Sequence, residues 1–292
     1  MLSIMKASDN DVNVVGILSE LDIKQGTSKN NKDYVIATAK VRVDQEVNGI
    51  MTESEIPVKF MSMKKKKDGT DNPMYDRIVN YGEQFTSLAA ADNPNEASRV
   101  SIVGSISENS YTGQDGILRE GWQVDGRFMN KAKKDEKEKA TFSLTSVIGR
   151  ITDEEKNGEP TGRLNVKATI IGWAGRADVI NFVAEQGAKA HIEQNWEVGE
   201  TVIMTGRIIF CQKTETKLVE VGFGEPMEKT ITVSKREVVI TGGSPSGLEE
   251  QLSYDESEIK NALAERKARL DEAASMAKSS AKTQKPVKDF GF

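Results

Sequence analysis

Several side chains are spaced so that rings and cations fall on shared surfaces. In Asp33-Tyr-Val-Ile-Ala-Thr-Ala-Lys-Val-Arg-Val43, Tyr34, Lys40 and Arg42 sit at even spacing, so an extended strand turns all three to one face. Arg163 and Lys167, with Asn165 between them, repeat that pattern later in the chain. Lys64, Lys65, Lys66 and Lys67 form an unbroken cationic run. Trp173 and Arg176 occupy a short turn sequence, Trp173-Ala-Gly-Arg-Ala-Asp178, and Tyr111 opens the polar stretch to Gly116. Arg150 and Arg207 each follow a glycine inside an apolar run. Rings stack on flat groups and lysine or arginine neutralises anions, so this inventory suits binding without a reactive side chain. The same strand faces also read as ordinary solvated surfaces, and the lysine run as a solvated loop.

Reactive chemistry is poorly supplied. The chain has one histidine, His191, and one cysteine, Cys211, which leaves no internal disulfide, no multi-cysteine metal site and no conventional catalytic dyad. The acidic group Asp153-Glu-Glu155 lies in a turn sequence, whereas a two-metal site needs carboxylates converging from rigid strands. No phosphate-loop, nucleophile-elbow or dinucleotide fingerprint is present. The expectation is a protein without catalysis, metal or cofactor. No apolar run approaches the roughly 18 residues that span a bilayer, and Met1-Leu-Ser-Ile-Met-Lys6 is too short and too soon charged for a secretory signal. A reducing cytoplasm is the expected compartment.

The elements that would carry these residues are mostly strands. The 292 residues suggest about two domains. Residues 12–23, 33–43, 55–62, 99–107 and 120–128 read as strands, with a helix at 72–81 between the third and fourth. Asn72 can cap that helix and Pro73 suits its first position. Residues 131–139 hold nothing apolar larger than alanine and read as a linker. The order then repeats: strands at 142–152, 163–170 and 179–183, a helical stretch at 185–194, a strand at 201–210 and a fifth at 217–223. A further strand at 229–240 closes or extends the set. Gly104 and Gly206 interrupt equivalent strands, and Gly149 answers Gly16; a glycine inside a strand marks a bulge, bend or close backbone approach. Ser253-Tyr-Asp-Glu256 suits a capping box for a helix from about 254 to 277. Ile259, Leu263, Leu270 and Ala274 form its apolar stripe, which suits packing within the chain or in an oligomer.

Strands in this order with a helix after the third make the oligonucleotide/oligosaccharide-binding (OB) barrel. The predicted fold class is all-β, with two tandem OB barrels of five strands plus a helix each, a C-terminal helix and a flexible tail. The boundaries are 1–130 for the first barrel, 131–139 for the linker, 140–245 for the second barrel, 246–278 for the helical segment and 279–292 for the tail. The second half also resembles the bacterial single-stranded DNA-binding protein family. Thr145-Ser-Val-Ile-Gly-Arg-Ile151 is similar to its opening strand, and Val179-Ile-Asn-Phe-Val-Ala-Glu185 to its third strand. Trp196-Glu-Val-Gly-Glu-Thr-Val-Ile-Met-Thr-Gly-Arg-Ile208 is similar to its fourth. The chain also ends as that family does, on an aromatic carboxyl-terminal residue. Two barrels in one chain, the first divergent, look like a phage-encoded member, which would place it in host cytoplasm.

The resemblance implies sequence-independent binding of single-stranded DNA in replication, recombination or repair. The DNA-binding candidates are Tyr34, Lys40, Arg42, Lys64, Lys65, Lys66, Lys67, Tyr111, Arg150, Arg163, Lys167, Trp173, Arg176 and Arg207. It further implies that the tail tip, with Asp289, Phe290 and Phe292, docks replication or recombination enzymes, although lysines rather than acids precede it. Trp122, Trp196, Tyr75 and Tyr81 read as packing residues. The net charge of −5 and pI of about 5.3 run against a nucleic-acid partner, since phosphate-binding faces are basic. They favour one alternative, an OB-fold virion or replisome scaffold; an accessory protein that anneals complementary strands is a second.

Overall fold

The computed structural model describes residues 5–47, 49–113, 115, 117–156, 158–219 and 227–283, with side chains described except at 212–219, 227–234 and 276–283. The first barrel is built from β1 (Asn10–Thr27), β2 (Asp33–Val47), β3 (Ile50–Met63), the helices α1 (Pro73–Val79) and α2 (Tyr81–Gln84), then β4 (Arg99–Glu108). A small hairpin follows, β5 (Tyr111–Thr112) and β6 (Leu118–Arg119), and then β7 (Trp122–Lys131). The second has β8 (Lys139–Lys156), β9 (Glu159–Ile171), β10 (Ala177–Ala184), α3 (Gln186–Asn195), β11 (Thr201–Val219) and β12 (Met227–Gly243). A long helix, α4 (Glu256–Thr283), ends the described chain.

Both sets close in the same way. β1 pairs antiparallel with β2 and β4, β2 with β3, and β4 with β7, while β3 meets β7 in a short parallel step at Val58 and Val124. β8, β9, β10, β12 and β11 repeat the circuit, with the parallel step at Val183 and Val239. Alternation drives the closure: Val35, Ala37, Ala39, Val41 and Val43 on β2 are all fully buried, the face that the sequence pattern predicts.

Gly104 and Gly206 have a common steric reason. A Cβ at Gly104 would lie 2.4 Å from the Asp125 carbonyl oxygen, and one at Gly206 would lie 1.9 Å from that of Val239. Each stands at a register shift between the fourth and fifth strands of its barrel. Val12 faces Gly104 and Phe142 faces Gly206, so Val12 and Phe142 are equivalent residues. They also face each other, because β1 and β8 pair antiparallel over Asn10–Val15 and Lys139–Leu144. The barrels are therefore related by a local two-fold and fused into one ten-stranded sheet, and one buried apolar cluster runs through both. In this register Gly149 matches Ser19, not Gly16: Ser19 and Gly149 are the residues skipped where the first two strands slip.

Three sequence readings are corrected. Residues 217–219 continue β11, and the strand that closes the second barrel is β12, so 229–240 is the fifth strand and not an addition. β2 and β3 extend to Val47 and Ile50, which pair, with Gly49 at φ +77°. Lys156 and Glu159 do the same around Gly158 at φ +83°. Asn-Gly at both places is the sequence signal for a two-residue hairpin. The cap of α4 is Asp255, whose Oδ1 accepts from the amides of Ser257 at 2.8 Å and Glu258 at 3.2 Å; it is not a Ser253–Glu256 box.

The first half of α4 folds back on the sheet. Ile259, Ala262 and Leu263 pack with Met5 and Tyr254 against Val147, Ile171 and Ala177, so this part of the predicted stripe is covered within the chain. One turn further on, Arg266 reaches β4: its Nε and Nη2 donate to the Glu108 carboxylate at 2.7 and 2.5 Å. Glu108 also accepts from the Val179 amide on β10 at 3.3 Å. One carboxylate thus ties α4, the first barrel and the second barrel. Elsewhere along the seam, Gln45 of β2 donates to the Ile208 carbonyl at 2.7 Å.

Candidate nucleic-acid interface

The candidates in the first barrel stand outward on β2, but not freely. The Tyr34 ring lies across Gly26 of β1, where a Cβ would come within 2.8 Å of the hydroxyl oxygen. Lys40 pairs with Glu20 at 2.7 Å, and the hydrogen bond to that carboxylate holds the ammonium above its ordinary pKa. Arg42 lies 3.8 Å from Glu53. The loop after β3 carries the lysine run. Lys64 pairs with Asp33 at 3.6 Å and lies 5.9 Å from the Tyr75 ring, and Lys65 pairs with Asp71 at 2.8 Å. The Lys66 ammonium has no partner among the described residues, although its backbone bonds Thr70 and Gly69. A cleft of about 610 Å³ opens here, lined by Lys32, Met63 and all four lysines among others.

Lys67 reaches out of its own barrel. Its ammonium sits 5.0 Å from the centre of the Trp173 ring, in the turn between β9 and β10. Trp173 is 79% exposed, and Ala174 and Gly175 behind it take φ +60° and +77°. A backbone held in that conformation presents the indole to solvent rather than to the core. Arg176 ends the turn, its Nε 3.0 Å from Asp178. Burial pushes the Asp178 carboxyl up from the ordinary aspartate range. The lysine loop of one barrel and the tryptophan turn of the other thus make one surface, although they are about a hundred residues apart in sequence.

The remaining candidates separate. Tyr111 is exposed on the β5–β6 hairpin with Arg119 6.0 Å from its ring; Asp115 binds that guanidinium and its carboxyl falls to about 2 as a result. Arg150 is exposed; it sits opposite Lys167 in the β8–β9 ladder, and its guanidinium has no partner among the described residues. Arg163 is only 22% exposed at the side chain, clamped between Glu154 at 3.5 Å and Glu237 at 2.7 Å. Lys167 is held by Glu120 of the first barrel at 3.0 Å. Arg207 donates to the Glu46 carbonyl across the seam. Asp289, Phe290 and Phe292 lie outside the described residues.

The residues read as packing take that place. Tyr75 and Tyr81 are buried, and Tyr81 stacks edge-on with Phe60 and Phe85. Trp196 is buried and donates from Nε1 to the Ser244 carbonyl at 3.0 Å. His191 is exposed. The sequence reading missed Arg236, whose guanidinium stands 4.5 Å from the Trp122 ring and 5.7 Å from that of Phe210. The only available signal was a Lys-Arg-Glu run inside a strand pattern. Among the described residues no group of three His, Cys, Asp or Glu could hold a metal ion, and no helix is long and apolar enough to cross a membrane.

The fold is similar to that of the single-stranded DNA binding protein from Thermus aquaticus. A deletion variant of that protein is 11% identical, with a TM-score of 0.52 over 84% of this chain and 98% of the other. The wild-type protein is 10% identical, with a TM-score of 0.50 over 86% and 99%. At such identities the likeness shows the OB-type, all-β fold. No curated protein matches the chain. The chain belongs to the YorF family, whose model matches residues 8–276.

Proposed function

We propose that this YorF-family chain binds single-stranded DNA without sequence readout, by stacking bases and neutralising phosphates. The observation that carries this is Trp173, 79% exposed, with Lys67 over its ring and the lysine loop beside it. An exposed indole with a cation at its face supplies both the stacking surface and the positive charge that single-strand binding uses. The fold supports the reading, as OB barrels offer such a face. On this reading the first and second barrels, 1–130 and 140–245, act as one binding unit joined through 131–139. The protein coats strands during replication, recombination or repair in the cytoplasm of a phage-infected host. It is not an enzyme. The tail beyond 279 recruits other proteins of the same process through Asp289, Phe290 and Phe292.

Fluorescence titration of the full chain with oligo-dT and with duplex, across salt concentrations, tests this. The expected result is quenching by oligo-dT alone that weakens as salt rises. Trp173→Ala is expected to cost about 1–3 kcal/mol of binding, the worth of one stacked base. Binding to neither ligand at low salt would end the proposal.

One observation favours a second reading, the scaffold. Lys40, Arg42, Lys64, Lys65, Arg163, Lys167 and Arg176 all have carboxylate partners, so much of the candidate cation is already neutralised. A scaffold would give no quenching with any oligonucleotide.

A further inference from the structure

A second cleft, of about 290 Å³, lies where the two barrels meet, lined by Glu120, Trp122, Val179, Asn181, Arg236 and Glu237 among others. Glu120 and Trp122 flank the point where the β5–β6 hairpin of the first barrel returns to β7. Asn181 and Arg236 belong to β10 and β12 of the second. Neither barrel forms the cleft alone.

Arg236 is the unusual group. Its guanidinium lies over the rings of both Trp122 and Phe210, at 4.5 and 5.7 Å, and one nitrogen donates to the Trp122 carbonyl. A guanidinium has five N–H donors, and no other hydrogen bond holds it among the described residues. No carboxylate comes within ion-pairing distance of it there either. Its neighbour Glu237 is engaged elsewhere, by Arg163 at 2.7 Å and Lys235 at 3.2 Å. Arg236 is nonetheless exposed overall, and the burial it does have pulls its pKa below the ordinary arginine value. A cation over two rings, with unspent donors in an open cleft, is suited to an anion, and its planar fork matches phosphate.

Beside it lies an anion already in place. Glu120 lines the same cleft; its two oxygens accept from Lys167 Nζ at 3.0 and 3.1 Å, and Oε1 also lies 3.7 Å from Arg266 Nη2. Lys167 stands on the outer face of β9 in register with Asn181. The carboxylate of the first barrel therefore occupies a cation on the face of the second.

We propose that this cleft is a phosphate subsite for single-stranded nucleic acid shared by both barrels, with Arg236 as its anchoring cation and Glu120 as an internal anion that a strand phosphate displaces from Lys167. The proposal rests on the single-strand reading above and adds the place where the strand crosses from one barrel to the other. It also accounts for an acidic chain carrying such a site: part of its acid is a stand-in for the ligand.

The test is binding of fluorescently labelled oligo-dT to the full chain by anisotropy, over a salt series, with thermal melts run beside it. Arg236→Gln is expected to weaken binding about tenfold, the order of one charge-assisted contact. It should also flatten the slope of log affinity against log salt by about 0.7, one phosphate on a single strand. Arg236→Lys keeps the charge and is expected to retain the slope while losing part of the affinity. Glu120→Gln frees Lys167 and is expected to tighten binding about threefold. The proposal is overturned if Arg236→Gln binds with unchanged affinity and slope, if its weakening only tracks a lost folded fraction, or if Glu120→Gln fails to tighten binding. A wild-type chain that binds no oligo-dT would instead remove the single-strand reading, and this subsite with it.

Discussion

Arg266→Ala is expected to lower folding stability by about 3–5 kcal/mol, the cost of stranding one partner of a buried ion pair. The pair it breaks is 13% exposed at the arginine and 4% at Glu108. The remaining carboxylate would face Asp178 with the Val179 amide and the Ser110 side chain as its donors. The loss should depend on pH. In the wild-type fold, burial alone would push the Glu108 carboxyl up, but the Arg266 hydrogen bonds, aided by other donors, outweigh it and hold the pKa below the ordinary 4.5. A depressed carboxyl contributes its full stabilisation above the unfolded value and loses it as pH falls through the folded one. Without Arg266, burial dominates and Glu108 takes up a proton at higher pH, which relieves the stranded charge. The stability gap between variant and wild type should therefore be widest near pH 7 and shrink as pH approaches 4. Asp178 works in the opposite direction, since its raised pKa makes its ionisation costly as pH rises, but it does so in both proteins. Urea melts at several pH values measure this; a gap below about 1 kcal/mol at pH 7 would show that α4 is not pinned through Glu108.

Gly206→Ala carries the second large effect, a loss of about 3 kcal/mol. The new methyl would sit 1.9 Å from the Val239 carbonyl oxygen and 2.7 Å from the Phe142 ring. The ring can rotate, but the carbonyl belongs to the ladder that closes the barrel, so either β11 or β12 must shift. Overpacking of this kind costs about 1–3 kcal/mol, or more where backbone is involved. The local two-fold supplies a companion, Gly104→Ala, whose methyl would meet the Asp125 carbonyl at 2.4 Å. It also has a ready control. Gly187 lies in the first turn of α3 and a methyl there meets nothing within 4 Å, so Gly187→Ala should gain about 0.5 kcal/mol, less than the full interior value. Opposite signs for Gly206→Ala and Gly187→Ala in thermal melts are the expected outcome. A Gly206→Ala protein that melts with the wild type would show that the strand-four bulge is not sterically required.

What the chain states by itself is local and periodic. Alternation along 33–43 declared the buried face of β2, because a strand puts successive side chains on opposite sides whatever surrounds it. The glycines at 104 and 206, inside otherwise apolar strands, marked where two backbones approach, since only a missing Cβ permits it. The order of strands and helices, repeated in both halves, then led to the OB barrel. Hairpin ends are also legible, as Asn-Gly at 48–49 and 157–158, but the polar residues flanking them read as turn, whereas in the fold they continue β2, β3, β8 and β9.

What only the tertiary structure decided concerns partners distant in sequence. Nothing local to Lys167 predicts Glu120, and nothing local to Glu108 predicts Arg266, 158 residues away. Charge pairing is set by where the two-fold places the barrels and by the fold-back of α4, not by spacing along the chain. Lys40 and Arg163 were readable as cations on outer faces, but whether a cation is free or already paired depends on its neighbours across the sheet. The same dependence joined Lys67 to Trp173, and left Arg236 between two rings with donors unspent. The sequence alone could determine which residues have the chemistry to hold a strand; only the assembled barrels determine which of them still have that chemistry to offer.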